Sequence, residues 1–235
     1  MKCQYKGGDI MRICVRGGHC PKVPGARALL DEVTEDRKVK DATIKYLRQL
    51  GHEVIDVTPP DSTSSSSSDL AYGVNTANSQ KCDLFVSIHF NKAYSSYNGT
   101  IGSEVCVYRN HDYAQRVVNK LASLGFKNRG QKIRTGLYEL KNTSMTAMIV
   151  EVCFVEATGD VDLYKRLGSD AVGRAIAEGI ANKSVPAPAP QPSTSTGNKL
   201  YRVIAGSYSN KDNAVNQVNA LKAKGFDAFI EAVDR

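Results

Sequence analysis

Long apolar runs are missing from this 235-residue sequence, which excludes a membrane-spanning helix needing about 20 successive apolar residues. The opening residues, MKCQYKGGDIMRICV, are interrupted by Gln4, Lys6, Asp9 and Arg12 and lack the unbroken apolar stretch of a secretory signal. The expectation is synthesis in the cytoplasm without a signal peptide, followed by action after release. Met11 stands just before the first strand-like run, which makes it a candidate alternative start with residues 1–10 as an extension. Paired CxxC spacing is absent among Cys3, Cys14, Cys20, Cys82, Cys106 and Cys153, which removes the pattern of cysteine-based zinc and redox motifs. Reduced, buried thiols are the expected state. Histidine is scarce, with 4 in the chain, so each can be weighed individually.

An apolar content of 41% and a charged content of 23% belong to a soluble globular chain. Its length allows one sizeable core and a small appendage. A formal charge of +7 and a pI near 9.0 attract polyanions, and nucleic acid and anionic wall polymers both qualify.

Residues 12–16 (RICVR) and 84–89 (LFVSIH) are short, β-branched and bounded by glycine or polar residues, which predicts strands. Residues 52–57, 103–108 and 147–153 read the same way. Between the first two, Val39, Thr43, Tyr46, Leu47 and Leu50 repeat at helical spacing and Gly51 follows as a stop. A second helix is predicted from Asp112 to about Leu124, with Val117, Val118 and Leu121 on one side, and a third over 169–181. Strands alternating with helices predict an α/β fold with a mainly parallel sheet covered on both faces, and ligands collect at the carboxyl ends of such strands.

Residues 61–68 (DSTSSSSS) read as a mobile polar loop. Residues 184–198 (SVPAPAPQPSTSTGN) read as an extended tether. The expected division is a catalytic domain over 11–183, a linker over 184–198 and a small β-α-β segment over 199–235, whose Ala214, Val218 and Leu221 face inward.

His19 follows a strand in RGGHC, where two glycines allow a sharp turn, and His89 ends the strand LFVSIHFN, so a parallel sheet places both at one edge. Two imidazoles and one carboxylate, with a fourth position open to water, form a common hydrolytic zinc site. Glu32 and Glu35, in the first turn of the first helix, are both candidates for the carboxylate, and the helix dipole alone also favours them there. Glu151 lies in the apolar run MTAMIVEVCFV, where an ionised carboxylate is expensive unless it is paired, coordinated or functional. His52 and His111 flank helices and read as caps or surface residues.

These residues resemble a known family. His19 in GGH, Glu32 at a helix start, His89 in SIHFN and Glu151 in IVEVCF, with NRGQK at 128–132 and LYELKNTSMTAMIVE at 137–151, look like the motifs of the zinc-dependent N-acetylmuramoyl-L-alanine amidases of the Amidase_3 group. The resemblance covers residues 12–181. It implies a twisted sheet flanked by helices that cleaves peptidoglycan between N-acetylmuramic acid and the first L-alanine of the stem peptide. Carried over by position, His19, Glu32 and His89 hold Zn2+ and Glu151 is the catalytic carboxylate. Two departures stand out: Cys20-Pro21 where the family often has two glycines, and Glu151-Val-Cys-Phe154 where it often has E-x-G-F. Cys20 beside His19 is a further, weaker metal candidate. The C-terminal stretch YRVIAGSYSNKDNAVNQVNALKAKGFDAFI is similar to the first half of a SPOR domain, a family associated with binding glycan strands stripped of stem peptides. The partners so implied are peptidoglycan and glycan strands, without nucleic acid or membrane insertion.

Two other functions remain open on the sequence: a wall peptidase using Cys20 or Cys153 with a histidine, and a non-catalytic basic wall- or nucleic-acid-binding module.

Overall fold

Strands that are apolar at nearly every position need cover on both faces. The computed structural model, which describes residues 10–186, 205–226 and 228–232, provides it. Six strands, β1 (Arg12–Gly17), β2 (Glu53–Asp56), β3 (Leu84–Asn91), β4 (Ser103–Val107), β5 (Asn128–Ile133) and β6 (Thr146–Phe154), form one sheet in the order β2-β1-β3-β6-β4-β5. All neighbours run parallel except β4 and β6. One face carries Ile13, Val15, Val86, Ile88, Val150 and Val152 and packs beneath α1 (Glu32–Gln49), α3 (Asp112–Ser123) and α5 (Thr158–Ala181). The alternate residues Cys14, Phe85, Ala147 and Ile149 meet Ala77 of α2 (Ser66–Ser79) and Leu140 of α4 (Tyr138–Asn142) on the other face.

Local signals set the helix ends. Asp31 caps α1 by accepting from the Thr34 amide at 3.3 Å, and Gly51 takes φ of +92° just past its end, a conformation that glycine adopts without a Cβ clash. Val39, Thr43, Tyr46 and Leu47 are buried along its inner side. Val117, Val118 and Leu121 do the same for α3.

Three expectations change. Residues 66–68 form the first turn of α2 rather than a loop: the Ser65 hydroxyl caps the helix at Ser68, and Asp69, Gly73, Val74 and Ala77 give it a buried side. The serine run conceals a cap because serine favours both loops and helix starts. The helix expected over 169–181 is the second part of α5, whose earlier part starts at Thr158 and is separated by Gly168 at φ of +77°. No side chain caps that first part at Ala157, so the usual start signal is missing. Finally, Cys14 and Cys82 are disulfide-bonded, not reduced: the turn into β3 lies beside β1, and their Cα atoms stand 6.0 Å apart, within bridging range. Cys20, Cys106 and Cys153 are free and buried.

The chain divides into two compact units, Met1–Ala187 and Pro188–Arg235. In the second, α6 (Lys211–Ala223) keeps Ala214, Val218 and Leu221 half-buried, and the described residues on either side of it, 205–210 and 228–232, carry no strand. The expected linker from 187 onward and the start of the expected β-α-β segment, residues 199–204, lie outside the described residues. Among the described residues no helix is long and apolar enough to cross a membrane.

α1 and α5 approach closely where Gly173 faces Ala42 and Thr43. A Cβ on Gly173 would sit 2.7 Å from the Thr43 backbone nitrogen, so Gly173→Val should separate the two helices and cost about 1–3 kcal/mol. Urea denaturation measures this, and an unchanged midpoint would show that the helices can slide apart without penalty.

Candidate metal and catalytic site

Toward the carboxyl ends of β1 and β3 the apolar pattern is broken by Arg16, Ser87, His89 and Asn91, and in β6 by Glu151. Gly17 pairs with Ile88 and His89 pairs with Glu151, so the end of β1 lies level with His89 and Glu151 near the ends of β3 and β6. Past Gly17 the chain turns through Gly18, whose amide donates to the Ile88 carbonyl at 2.8 Å. The His89 ring fills the space that a side chain on Gly18 would take, which is why glycine is required there. This turn brings the His19 ring to 4.9 Å from that of His89, edge to face at 80°.

Glu32 enters from the first turn of α1 and is 4% exposed. Its Oε1 lies 3.3 Å from His19 Nε2 and 3.1 Å from His89 Nδ1 and accepts from the Phe90 amide at 3.0 Å. Its Oε2 accepts from the Ala26 amide at 2.6 Å. Burial pushes the Glu32 carboxyl upward, but the two imidazoles outweigh burial and hold it well below the usual carboxylate range. For His89, burial disfavours the charged ring, yet hydrogen bonds to Glu139 and Glu32 raise its pKa well above the ordinary value. Ligand atoms of His19, Glu32 and His89 lie within 4.8 Å of one another. Two imidazoles and an ionised carboxylate with donor atoms this close together suit zinc.

The alternatives lie elsewhere. Glu35 accepts from Lys38 at 2.9 Å and from the Tyr164 hydroxyl at 2.7 Å. The Cys20 thiol donates to the Thr63 carbonyl at 3.3 Å. His111 caps α3, accepting from the Ala114 amide at 3.2 Å, and His52 accepts from the Met11 amide at 3.3 Å.

Glu151 occupies the neighbouring strand on the same face as His89. Its Oε2 is buried without a hydrogen-bond partner, and burial pushes its pKa up to about 7, with His89 opposing the rise and Glu32 adding to it. Glu104 of β4 stands opposite Glu151 and holds Arg129 at 2.7 Å and Asn91 at 3.2 Å.

Four further charged groups escaped the sequence reading. Arg16 is 0% exposed and pairs with Asp69 at 2.5 Å and Glu139 at 3.2 Å. An arginine inside the apolar run RICVR was the available signal, but its partners lie 53 and 123 positions away. Asp36, one turn beyond Glu32, is 0% exposed with neither oxygen hydrogen-bonded, and burial pushes it up to about 8.

The family model for N-acetylmuramoyl-L-alanine amidase, Amidase_3, matches residues 13–182. The chain belongs to the Amidase_3 family. A SPOR domain model matches residues 170–230. An uncharacterized protein of Clostridium perfringens strain 13 is 47% identical over 180 residues, 74% of this chain and 53% of that protein. The N-acetylmuramoyl-L-alanine amidase CwlM of Bacillus licheniformis is 31% identical over 176 residues, 72% of this chain and 64% of its own length. The chain therefore spans between about half and two thirds of these two relatives. Among solved structures, the catalytic domain of the CD27L endolysin targeting Clostridia Difficile superposes with a TM-score of 0.68 at 30% identity, over 75% of this chain and 99% of that domain.

Asp36 supplies a test of the site's electrostatics. Its folded pKa of about 8 lies above the unfolded value of about 3.9, so the folded state holds the proton longer and ionisation opposes folding. The penalty is absent below pH ~4, grows until about pH 8 and then levels off. In metal-free protein, Asp36→Asn should therefore gain stability relative to the parent as pH rises from 5 to 8, read as a widening gap in Tm. A gap that stays constant over that range would show that Asp36 ionises normally in the folded state.

Proposed function

We propose that the chain hydrolyses the amide between the lactyl group of N-acetylmuramic acid and L-alanine in peptidoglycan, with zinc held by His19, Glu32 and His89 and with Glu151 as the catalytic carboxylate. The observation that carries this reading is the meeting of those three donors at the carboxyl edge of the sheet, one strand from a carboxylate whose Oε2 has no partner. Zinc bound there supplies Lewis acidity to the carbonyl and makes water acidic enough to attack at neutral pH. Glu151 takes the proton from the attacking water while oxygen adds to the lactyl carbonyl carbon. It then returns that proton to the alanine nitrogen as the C–N bond breaks, so the leaving group departs as a neutral amine. Burial, which raises the Glu151 carboxyl, favours exchange of a proton in both directions near neutral pH.

A cysteine nucleophile finds less support. Burial is the main cause raising the thiols of both Cys20 and Cys153, and for Cys153 the rise is large, so neither favours a thiolate. The SPOR-like segment suggests a second attachment, to the glycan strands of the same wall, and the enzyme would act after release as a phage lysin or an autolysin. The basic charge assists approach to anionic wall polymers.

Glu151→Gln should retain zinc by metal analysis while release of dye-labelled wall fragments falls about 10²–10⁴-fold. Full activity with full zinc would remove Glu151 from the mechanism. For the zinc-loaded enzyme the rate should rise with pH as Glu151 loses its proton, with a midpoint below the value of about 7 that burial gives the metal-free carboxyl. Digestion of purified peptidoglycan should be abolished by EDTA, and mass analysis should find new free L-alanine amino ends. Undiminished digestion in EDTA would overturn the zinc assignment.

A further inference from the structure

An imidazole that gives one nitrogen to a metal must carry its proton on the other, and a neighbouring acceptor selects which nitrogen that is. In His89 the nitrogen facing the shared Glu32 oxygen is Nδ1, at 3.1 Å. The opposite nitrogen, Nε2, lies 3.0 Å from the Ser87 hydroxyl oxygen and 3.6 Å from Glu139 Oε2. The Ser87 hydroxyl donates to Glu139 Oε1 at 3.2 Å, so its proton is committed and its lone pairs are left to face Nε2. The chain of donors then runs from His89 Nε2–H to Ser87 and on to Glu139.

Behind Glu139 stands Arg16, whose guanidinium is always protonated. Arg16 Nη1 lies 3.2 Å from Glu139 Oε1, and its remaining donors reach the Asp69 carboxylate, the Asp69 carbonyl at 3.0 Å, and the carbonyls of Gly17 at 2.9 Å and Gly18 at 2.7 Å. Those last two carbonyls belong to the turn that aims His19. Arg16, Asp69 and Glu139 are 0%, 2% and 2% exposed, and together they carry one positive and two negative charges. Apolar side chains of similar volume would usually fill such a space at no loss of stability, so fold stability alone does not account for the triad.

We infer that Glu139 is a positioning residue for the metal site: with Ser87 it holds the proton of His89 on Nε2 and leaves Nδ1 free for the ion, while Arg16 and Asp69 anchor Glu139 and the turn bearing His19. This inference rests on His89 being a zinc ligand. The net negative charge of the triad also favours a divalent cation beside it.

The test uses the full chain. Zinc affinity is measured by competition with a chromophoric chelator for the parent, Glu139→Gln and Glu139→Asp, together with ¹⁵N spectra of labelled histidine in the zinc-loaded proteins. Glu139→Gln should weaken zinc binding about 10–100-fold, and the His89 signal should lose its single Nε2–H form. Glu139→Asp, which keeps the charge on a shorter arm, should recover part of the affinity. Near-UV circular dichroism separates these effects from unfolding, and in a variant that unfolds, Ser87→Ala replaces it with the same expected loss of affinity and tautomer. Parent-level zinc affinity and an unchanged His89 signal in folded Glu139→Gln or Ser87→Ala would overturn the inference. A parent protein that binds no zinc would instead overturn the proposed function on which it stands.

Discussion

Glu32, Asp36, Glu139 and Glu151 converge around two imidazoles in a space largely closed to water, and containing that negative charge is the constraint on which the site depends. An isolated buried carboxylate is unstable unless it is paired, hydrogen-bonded or protonated. Each of the four meets this demand differently. Glu32 gathers both imidazoles and two backbone amides, and Glu139 is neutralised by Arg16. Asp36, with only a distant Arg37 Nε at 3.9 Å and no hydrogen bond, and Glu151, with an unpartnered Oε2, are pushed by burial toward the protonated form, to about 8 and about 7. A divalent cation at the meeting point of His19, Glu32 and His89 would relieve the remaining repulsion.

Sheet topology turns this constraint into a site. Parallel β1, β3 and β6 bring the end of β1 level with His89 and Glu151, so residues 19, 89 and 151 reach one edge although they are far apart in sequence. β4 runs against β6 and places Glu104 opposite Glu151, which carries Arg129 and Asn91 to the same rim. The sheet face below is divided along its length: apolar where α2 and α4 cover Cys14, Phe85 and Ile149, polar where Arg16, Ser87 and His89 follow on the same strands. Glycine at position 18 lets the His89 ring lie directly beneath the turn bearing His19.

Much of this was legible beforehand because strand alternation, helical periodicity and caps are local signals. Val39, Tyr46 and Leu47 marked the buried side of α1, and GGH and SIHFN placed two imidazoles after strands. Glu32 and Glu35 could not be separated by local chemistry, since both suit a helix start, and only the family resemblance favoured the first. In the fold Glu35 turns to Lys38 and Tyr164 while Glu32 faces the imidazoles. Ser65 and Ala157 misled in opposite ways, the first by capping a helix within a loop-like serine run, the second by starting a helix without a cap.

By itself the sequence determined the alternation of strands and helices, the edge at which His19 and His89 emerge, and the anomaly of Glu151 in an apolar strand, because each follows from neighbours within a few residues. Only the tertiary structure decided that Arg16 would pair with Asp69 and Glu139, that Cys14 would meet Cys82, and that Asp36 would be buried without a hydrogen bond beside the site. Those outcomes depend on which strands become neighbours and on how completely α2 and α4 exclude water, and burial and long-range pairing are properties of the packed chain rather than of any segment.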